Sequence, residues 1–269
     1  MRRIRFSEAI ALPLALLASP AAAAPAAPQV WQVDWEQAHC TIATGDPASL
    51  YLALWITPGD PTPEVYLVAP ADRLRGGGDT IELTLGPGGK PIRASTRIRP
   101  GKAGATIVEL GSLADDFPLA FMKSSEVRVS GFTAPLSIPI QGARKAIAAL
   151  DQCLDQKMVE WGMDPKAYRA LRAPPMPRIR GQIDWLGDDD YPPEAYNKSE
   201  EGEAVVRLSV DVRGKVTDCA VVASSGSKPI DEVTCRRALR KARYIPAVGA
   251  DGRPTAAMRT VRAEFRLIY

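Results

Sequence analysis

The sequence predicts an α+β protein in which a β-rich N-terminal domain, sandwich- or barrel-like, precedes a small two-layer α+β domain. Two observations support this fold class. Short strand-like runs punctuated by glycine and proline fill the first half of the chain, whereas two alternating strands, a helix and a final alternating strand occupy its C-terminal end. With 269 residues, the chain is long enough for two ordinary domains.

The first domain is predicted from five strand-like runs and one helix. The runs are residues 50–56, 64–68, 80–85, 105–110 and 126–132. The third run alternates with a period of two and leads into Gly86-Pro87-Gly88-Gly89, which favours a hairpin turn. Residues 141–156 then place Ile147, Leu150 and Leu154 at helical spacing, which predicts a helix that ends the domain.

The C-terminal end of the chain, residues 187–269, is predicted to form a compact module. Residues 204–212 alternate as a strand, Arg213-Gly214 is a tight turn, and residues 215–223 return as the hairpin partner. A helix is expected to begin at Lys228-Pro229. The last strand, about residues 258–268, has two faces. Its apolar face is Val261, Ala263, Phe265 and Leu267, and its polar face is Thr260, Arg262, Glu264 and Arg266.

The chain is expected to divide into four segments. These are a signal peptide at residues 1–24, the β-rich domain at 28–156, a connector at 157–186 and the C-terminal module at 187–269. In the connector, Asp164 ahead of Pro165 predicts a capped short helix. The proline-rich residues 173–177 cannot continue it and are expected to be extended and stiff.

The first residues have the features of an export signal. Arg2, Arg3 and Arg5 supply positive charge, residues 10–17 are mostly apolar, and residues 21–24 are the small residues that a signal peptidase requires. The apolar stretch is far shorter than the about 20 residues that span a bilayer. We therefore predict cleavage and export; the alternative is a retained segment that anchors the protein in the inner membrane, facing the periplasm.

The four cysteines support an exported protein because their number is even. By position, two pairings are natural: Cys40 with Cys153 and Cys219 with Cys235, each within one predicted domain. None lies in a CxxC pair, and the spacings fit no zinc template. We therefore predict two structural disulfides.

Several functions are not indicated by the sequence. A formal net charge of +3 is too small to indicate nucleic acid as a partner. His39 is the only histidine, and we expect it at the surface or in a cap. Asp188-Asp189-Asp190 lacks the spacing of a calcium loop and is expected to be a solvated linker. We predict no enzymatic activity, no catalytic residue, no metal and no cofactor.

The tract from Tyr191 to Tyr269 resembles the C-terminal domain of the TonB energy-transducer family. The order and spacing of its short motifs carry this resemblance. The motifs are Tyr191-Pro192, Gly202, Asp211 with Gly214-Lys215-Val216, Ser224-Ser225-Gly226, Ile230-Asp231, Tyr244-Ile245-Pro246-Ala247 and Gly252-Arg253-Pro254.

The resemblance implies a periplasmic protein that takes part in energy-coupled transmembrane transport. Its partner would be an outer-membrane TonB-dependent transporter, which offers a short segment, the TonB box, that the domain binds by strand addition. In this chain the last strand would present backbone N–H and C=O groups, while Thr260, Arg262, Glu264 and Arg266 would tune which segment is accepted. The alternative is that these charges only protect an exposed edge strand from aggregation.

The family also implies inner-membrane motor proteins as partners, which pull through an uncleaved membrane helix and a long proline-rich span. Here the N-terminus looks cleavable, the proline segment is short, and a folded domain occupies the intervening space. A second expectation is therefore a soluble adaptor or scaffold of the cell envelope that uses the same fold for other protein contacts.

Overall fold

The computed structural model describes residues 30–35, 38–46, 48–111, 113, 117–178 and 183–267. The predicted signal peptide, residues 1–24, lies outside these described residues. None of the helices in the described ranges is both long and apolar enough to cross a membrane.

The first domain is built on one antiparallel sheet of nine strands. The strands are β1 (Trp31–Trp35), β2 (Cys40–Asp46), β3 (Leu50–Ile56), β4 (Glu64–Pro70), β5 (Thr80–Leu85), β6 (Ile92–Pro100), β7 (Ala105–Gly111), β8 (Glu126–Ser130) and β9 (Leu136–Pro139). Their order in the sheet is β1-β2-β3-β4-β7-β6-β5-β8-β9. The β5–β6 hairpin turns at the predicted glycine-rich segment.

The sheet curls around the main apolar core of the domain. Two helices, α1 (Phe117–Met122) and α2 (Ala143–Glu160), contribute to this core, with Phe117, Phe121 and Leu150 almost completely buried. The predicted helix at the end of the first domain is confirmed as α2, although it begins two residues later and ends four residues later than expected. The disulfide Cys40–Cys153 joins β2 to α2, with the two Cα atoms 6.0 Å apart.

The connector is held against the C-terminal module. Its short helix α3 (Pro165–Arg169) is capped by the Asp164 carboxylate, which accepts the backbone N–H of Lys166 at 2.8 Å and that of Ala167 at 3.2 Å. After it, the two-residue strand β10 (Met176–Pro177) pairs with β13 (Tyr244–Ile245). The proline-rich segment is therefore extended, as predicted, and hydrogen-bonded to the module.

The C-terminal module is a three-stranded sheet covered by a helix, and the predicted α+β fold class is confirmed. Its further elements are α4 (Pro193–Asn197), β11 (Gly202–Val210), β12 (Val216–Ala223), α5 (Lys228–Lys241), β14 (Ala247–Val248), β15 (Pro254–Thr255) and β16 (Ala257–Phe265). The sheet order is β12-β11-β16, and all pairs are antiparallel. The second predicted disulfide, Cys219–Cys235, ties β12 to α5, with the Cα atoms 5.5 Å apart.

Two sequence expectations are wrong. His39 is buried rather than at the surface, because its ring stacks on Trp55 at a centroid distance of 4.2 Å. Asp190 is buried rather than solvated, because its carboxylate pairs with the guanidinium of Arg237 and lies 3.9 Å from the ammonium of Lys241, both on α5.

Candidate functional site

The outer strand of the module, β16, carries three of the four residues that the sequence singled out, Thr260, Arg262 and Glu264, and Arg266 directly follows it. Because, among the described residues, β16 pairs only with β11 in this sheet, its other side is a sheet edge. Consecutive residues of a strand direct their backbone groups alternately to the two sides. The N–H of Thr260 points away from β11, toward Gly59. The backbone groups of Met258, Arg262 and Glu264 therefore point to the same outer edge.

The four predicted side chains lie in different surroundings. Thr260 is completely buried, Arg262 is partly buried, and Glu264 is exposed. Arg266 follows the end of β16 and is exposed, with its guanidinium 2.7 Å from the Glu264 carboxylate. The expectation that Thr260 presents an outward polar side chain is wrong, because the first domain packs over it.

The β3–β4 loop of the first domain, residues 58–60, contacts the outer edge of β16; we call it the covering loop. Its Gly59 carbonyl accepts the backbone N–H of Thr260 at 3.2 Å, and its Pro58 carbonyl accepts the Thr260 hydroxyl at 2.6 Å. The Asp60 carboxylate lies 3.0 Å from the guanidinium of Arg259. The covering loop thus takes the position of a neighbouring strand beside Thr260.

Arg262 connects the two domains electrostatically. Its guanidinium pairs with Glu64 of the first domain and lies 3.8 Å from Glu203 of β11. Burial alone would lower the pKa of this guanidinium, but the two carboxylates outweigh burial and raise the pKa. Glu64 also accepts the Tyr66 hydroxyl at 2.5 Å. Because Arg262 is already paired on both sides, it offers an incoming segment its backbone more readily than its charge.

Sequence reasoning missed Arg259, which holds the start of β16. Its guanidinium is buried, donates to the Pro175 carbonyl at 2.7 Å, and lies 5.9 Å from the centre of the Tyr244 ring. A signal was present: Arg259 falls on the apolar face with Val261, and a buried charge requires partners. Those partners come from the connector and the covering loop, so Arg259 joins the two domains.

The C-terminal part of the edge is less covered. Within the described residues, no backbone hydrogen bond from the first domain reaches Arg262 or Glu264. Aromatic rings cluster at this end: the buried Phe265 ring is 5.5 Å from the half-buried Tyr191, whose ring is 6.1 Å from that of the exposed Tyr196. An extended segment paired here would meet two N–H and two C=O groups and could place side chains near these rings.

The motif residues Asp211 and Asp231 stabilise the turns of the module through hydrogen bonds to backbone N–H groups. The Asp211 carboxylate accepts the backbone N–H groups of Lys215 at 2.9 Å and Arg213 at 2.8 Å, and these hydrogen bonds lower its pKa. In the same way, Asp231 accepts the backbone N–H of Ser225 at 2.9 Å and so ties the loop before α5 to its first turn. These motifs fix the hairpin and the helix against which β16 is aligned.

A separate concavity of about 280 Å³ lies on the first domain. Ala43 and Ala53 are among the small residues that line it, and Tyr51, Trp55 and Tyr66 supply aromatic surface. No sequence motif predicted it, because its residues come from neighbouring strands rather than from one stretch of chain. Its wall residue Tyr66 is hydrogen-bonded to Glu64, which in turn contacts β16 through Arg262.

Residues 188–267 match the family model for the Gram-negative bacterial TonB protein C-terminal domain. The match covers the three-stranded sheet of the module, including its edge strand β16, and the helix α5 that packs on this sheet. It confirms the resemblance predicted from the motifs. No curated protein and no solved structure matches the chain.

Proposed function

We propose that this protein, whose C-terminal module is a TonB C-terminal domain, binds an extended segment of an outer-membrane transporter by strand addition to β16. The binding takes place in the periplasm and serves energy-coupled transport. The observation that supports it most directly is that β16 is an edge strand whose Arg262 and Glu264 backbone groups face outward. The TonB family is a non-enzymatic binding family, which agrees with a binding function.

Strand addition draws its affinity from main-chain hydrogen bonds, and side chains provide specificity. At this edge, Arg262 is neutralised by Glu64 and Glu203, and Arg266 by Glu264. The edge therefore carries little net charge. We expect it to favour segments with apolar or small side chains next to the aromatic surface of Tyr191 and Tyr196, with no requirement for a strongly charged ligand.

A proline at residue 264 tests the role of the backbone. In Glu264→Pro the outward N–H is lost, while the bonds to β11 are kept because proline is tolerated on edge strands. We expect synthetic N-terminal segments of TonB-dependent transporters to bind at least tenfold more weakly, the equivalent of about 1.4 kcal/mol, which is typical for one hydrogen bond. The measurement is fluorescence anisotropy of labelled segments titrated with the full chain.

Glu264→Ala is the matched control because it removes the same side chain and keeps the N–H. We expect its affinity for the segments to stay within about threefold of the parent protein, since the Glu264 charge is exposed and already paired with Arg266. Equal affinities for the proline and alanine variants would contradict strand addition at this position.

A second function is that of a cell-envelope adaptor whose module contacts other proteins. The observation that favours it is the burial of Thr260 by the covering loop, which removes part of the edge from a transporter segment. Transporter segments that bind neither the parent protein nor a variant with a released covering loop would favour this adaptor function.

A further inference from the structure

The covering loop occupies the edge of β16 in the manner of a ligand. The Gly59 carbonyl accepts the outward N–H of Thr260, which is the kind of hydrogen bond that an added strand would make. The Thr260 hydroxyl adds a second bond, to the Pro58 carbonyl at 2.6 Å. A segment that pairs with the whole length of β16 would have to bond to the Thr260 N–H, which the covering loop already occupies.

The shape of the covering loop is adapted to this close approach. Gly59 has a φ of +81°, and a Cβ atom there would lie 2.8 Å from the Met163 methyl carbon and 3.1 Å from the Thr260 methyl carbon. Only glycine fits between the connector and β16 without strain. Pro58 and Gly59 are both buried in the contact.

Charges of opposite sign flank the hydrogen-bonded contact. The carboxylates of Asp60 and Glu64 belong to the first domain, and the guanidinium groups of Arg259 and Arg262 belong to β16. The two ion pairs lie on either side of Thr260 in the sequence of β16. Such complementarity fixes the register of a contact and disfavours alternatives.

We infer that the covering loop is an internal competitor of the transporter segment, so that the first domain regulates how much of β16 is available. This inference rests on the proposed function. When the covering loop is bonded to Thr260, which we call the closed arrangement, a short segment pairs with Arg262 and Glu264 alone. A longer segment that also pairs with Thr260 binds only when the loop leaves, and its apparent affinity is reduced by the fraction of molecules that are closed.

The test uses the full-length double variant Asp60→Asn with Glu64→Gln. It removes both carboxylate charges that face β16 and keeps oxygen acceptors for the Thr62 N–H and the Tyr66 hydroxyl, which these residues bind within their own domain. The control is Glu82→Gln, which removes one charge from the exposed ion pair with Arg93 on the same domain.

Two quantities are measured for each protein: the exchange rate of the Thr260 amide by nuclear magnetic resonance, and the affinity for transporter segments of two lengths. We expect the double variant to exchange Thr260 at least fivefold faster than the parent, with the Ala263 amide, which faces β11, unchanged. The long segment should bind at least fivefold more tightly, whereas the short segment should bind with unchanged affinity. The Glu82→Gln protein should behave like the parent.

An unchanged Thr260 exchange rate in the double variant, or equal gains for the short and long segments, would overturn the inference. The failure of the proposed function gives a different pattern. In that case no segment binds any variant, although Thr260 exchange rises in the double variant. The covering loop then protects the edge of β16 without competing with a transporter segment, and transporter binding is refuted.

Discussion

Replacing both Cys40 and Cys153 with alanine is expected to lower the free energy of unfolding of the first domain by at least about 5 kcal/mol. The disulfide closes a loop with a sequence separation of 113 residues. On the chain-entropy account, a loop of this length contributes about 5 kcal/mol. Both cysteines are completely buried, so the loss of two sulfur atoms also weakens the core in the same direction.

The measurement is hydrogen–deuterium exchange by mass spectrometry at increasing guanidinium concentration, with strand β4 reporting on the first domain. The matched control is the double alanine variant of Cys219 and Cys235. Their sequence separation is only 16 residues and both are partly exposed, so we expect a loss of about 3 kcal/mol, confined to the module. A larger loss from the short loop than from the long one would contradict this account.

Gly214→Ala is expected to destabilise the C-terminal module by about 3–4 kcal/mol. Gly214 has a φ of +79°, and a Cβ atom there would lie 1.9 Å from the Tyr244 carbonyl oxygen. This overlap is with backbone and cannot be relieved by a rotamer change. The backbones would separate and weaken the hydrogen bond in which the Tyr244 N–H donates to the Gly214 carbonyl at 2.8 Å.

Gly226→Ala is the control that separates the clash from the backbone strain. Gly226 lies in the same module with a φ of +86°, but nothing lies within 4 Å of its added Cβ atom. We expect this variant to lose only about 1 kcal/mol, the cost of the left-handed conformation. The two losses are compared by exchange of strand β11 in denaturant, and equal losses would show that the contact with Tyr244 is unimportant.

Local patterns predicted the elements whose residues alternate or recur at helical spacing. Strand β5 and the sheet of the module follow this rule, as does helix α2. Strand β2 was missed because its first five residues, from Cys40, are all buried, which removes the alternation that marks a half-exposed strand. Strand β6 was missed for the opposite reason: it is polar and mostly exposed.

Only part of the candidate site could be predicted from the sequence. The position of β16 at a sheet edge followed from the family motifs and the alternation of its last residues. The burial of Thr260 could not follow, because it depends on Pro58 and Gly59, about 200 positions away. Local patterns contain no information on how two domains dock. Arg259 was the one detectable sign, since a charge on the apolar face calls for a partner from outside the module.

The most direct test of strand addition to β16 is amide exchange in the complex. The full-length protein is saturated with a transporter segment, and the exchange of individual amides is followed by nuclear magnetic resonance. We predict that the outward amides of Arg262 and Glu264 exchange at least tenfold more slowly when the segment is bound, while the inward amide of Ala263 changes little. A saturated complex in which the Arg262 and Glu264 amides exchange as fast as in the free protein would contradict the account.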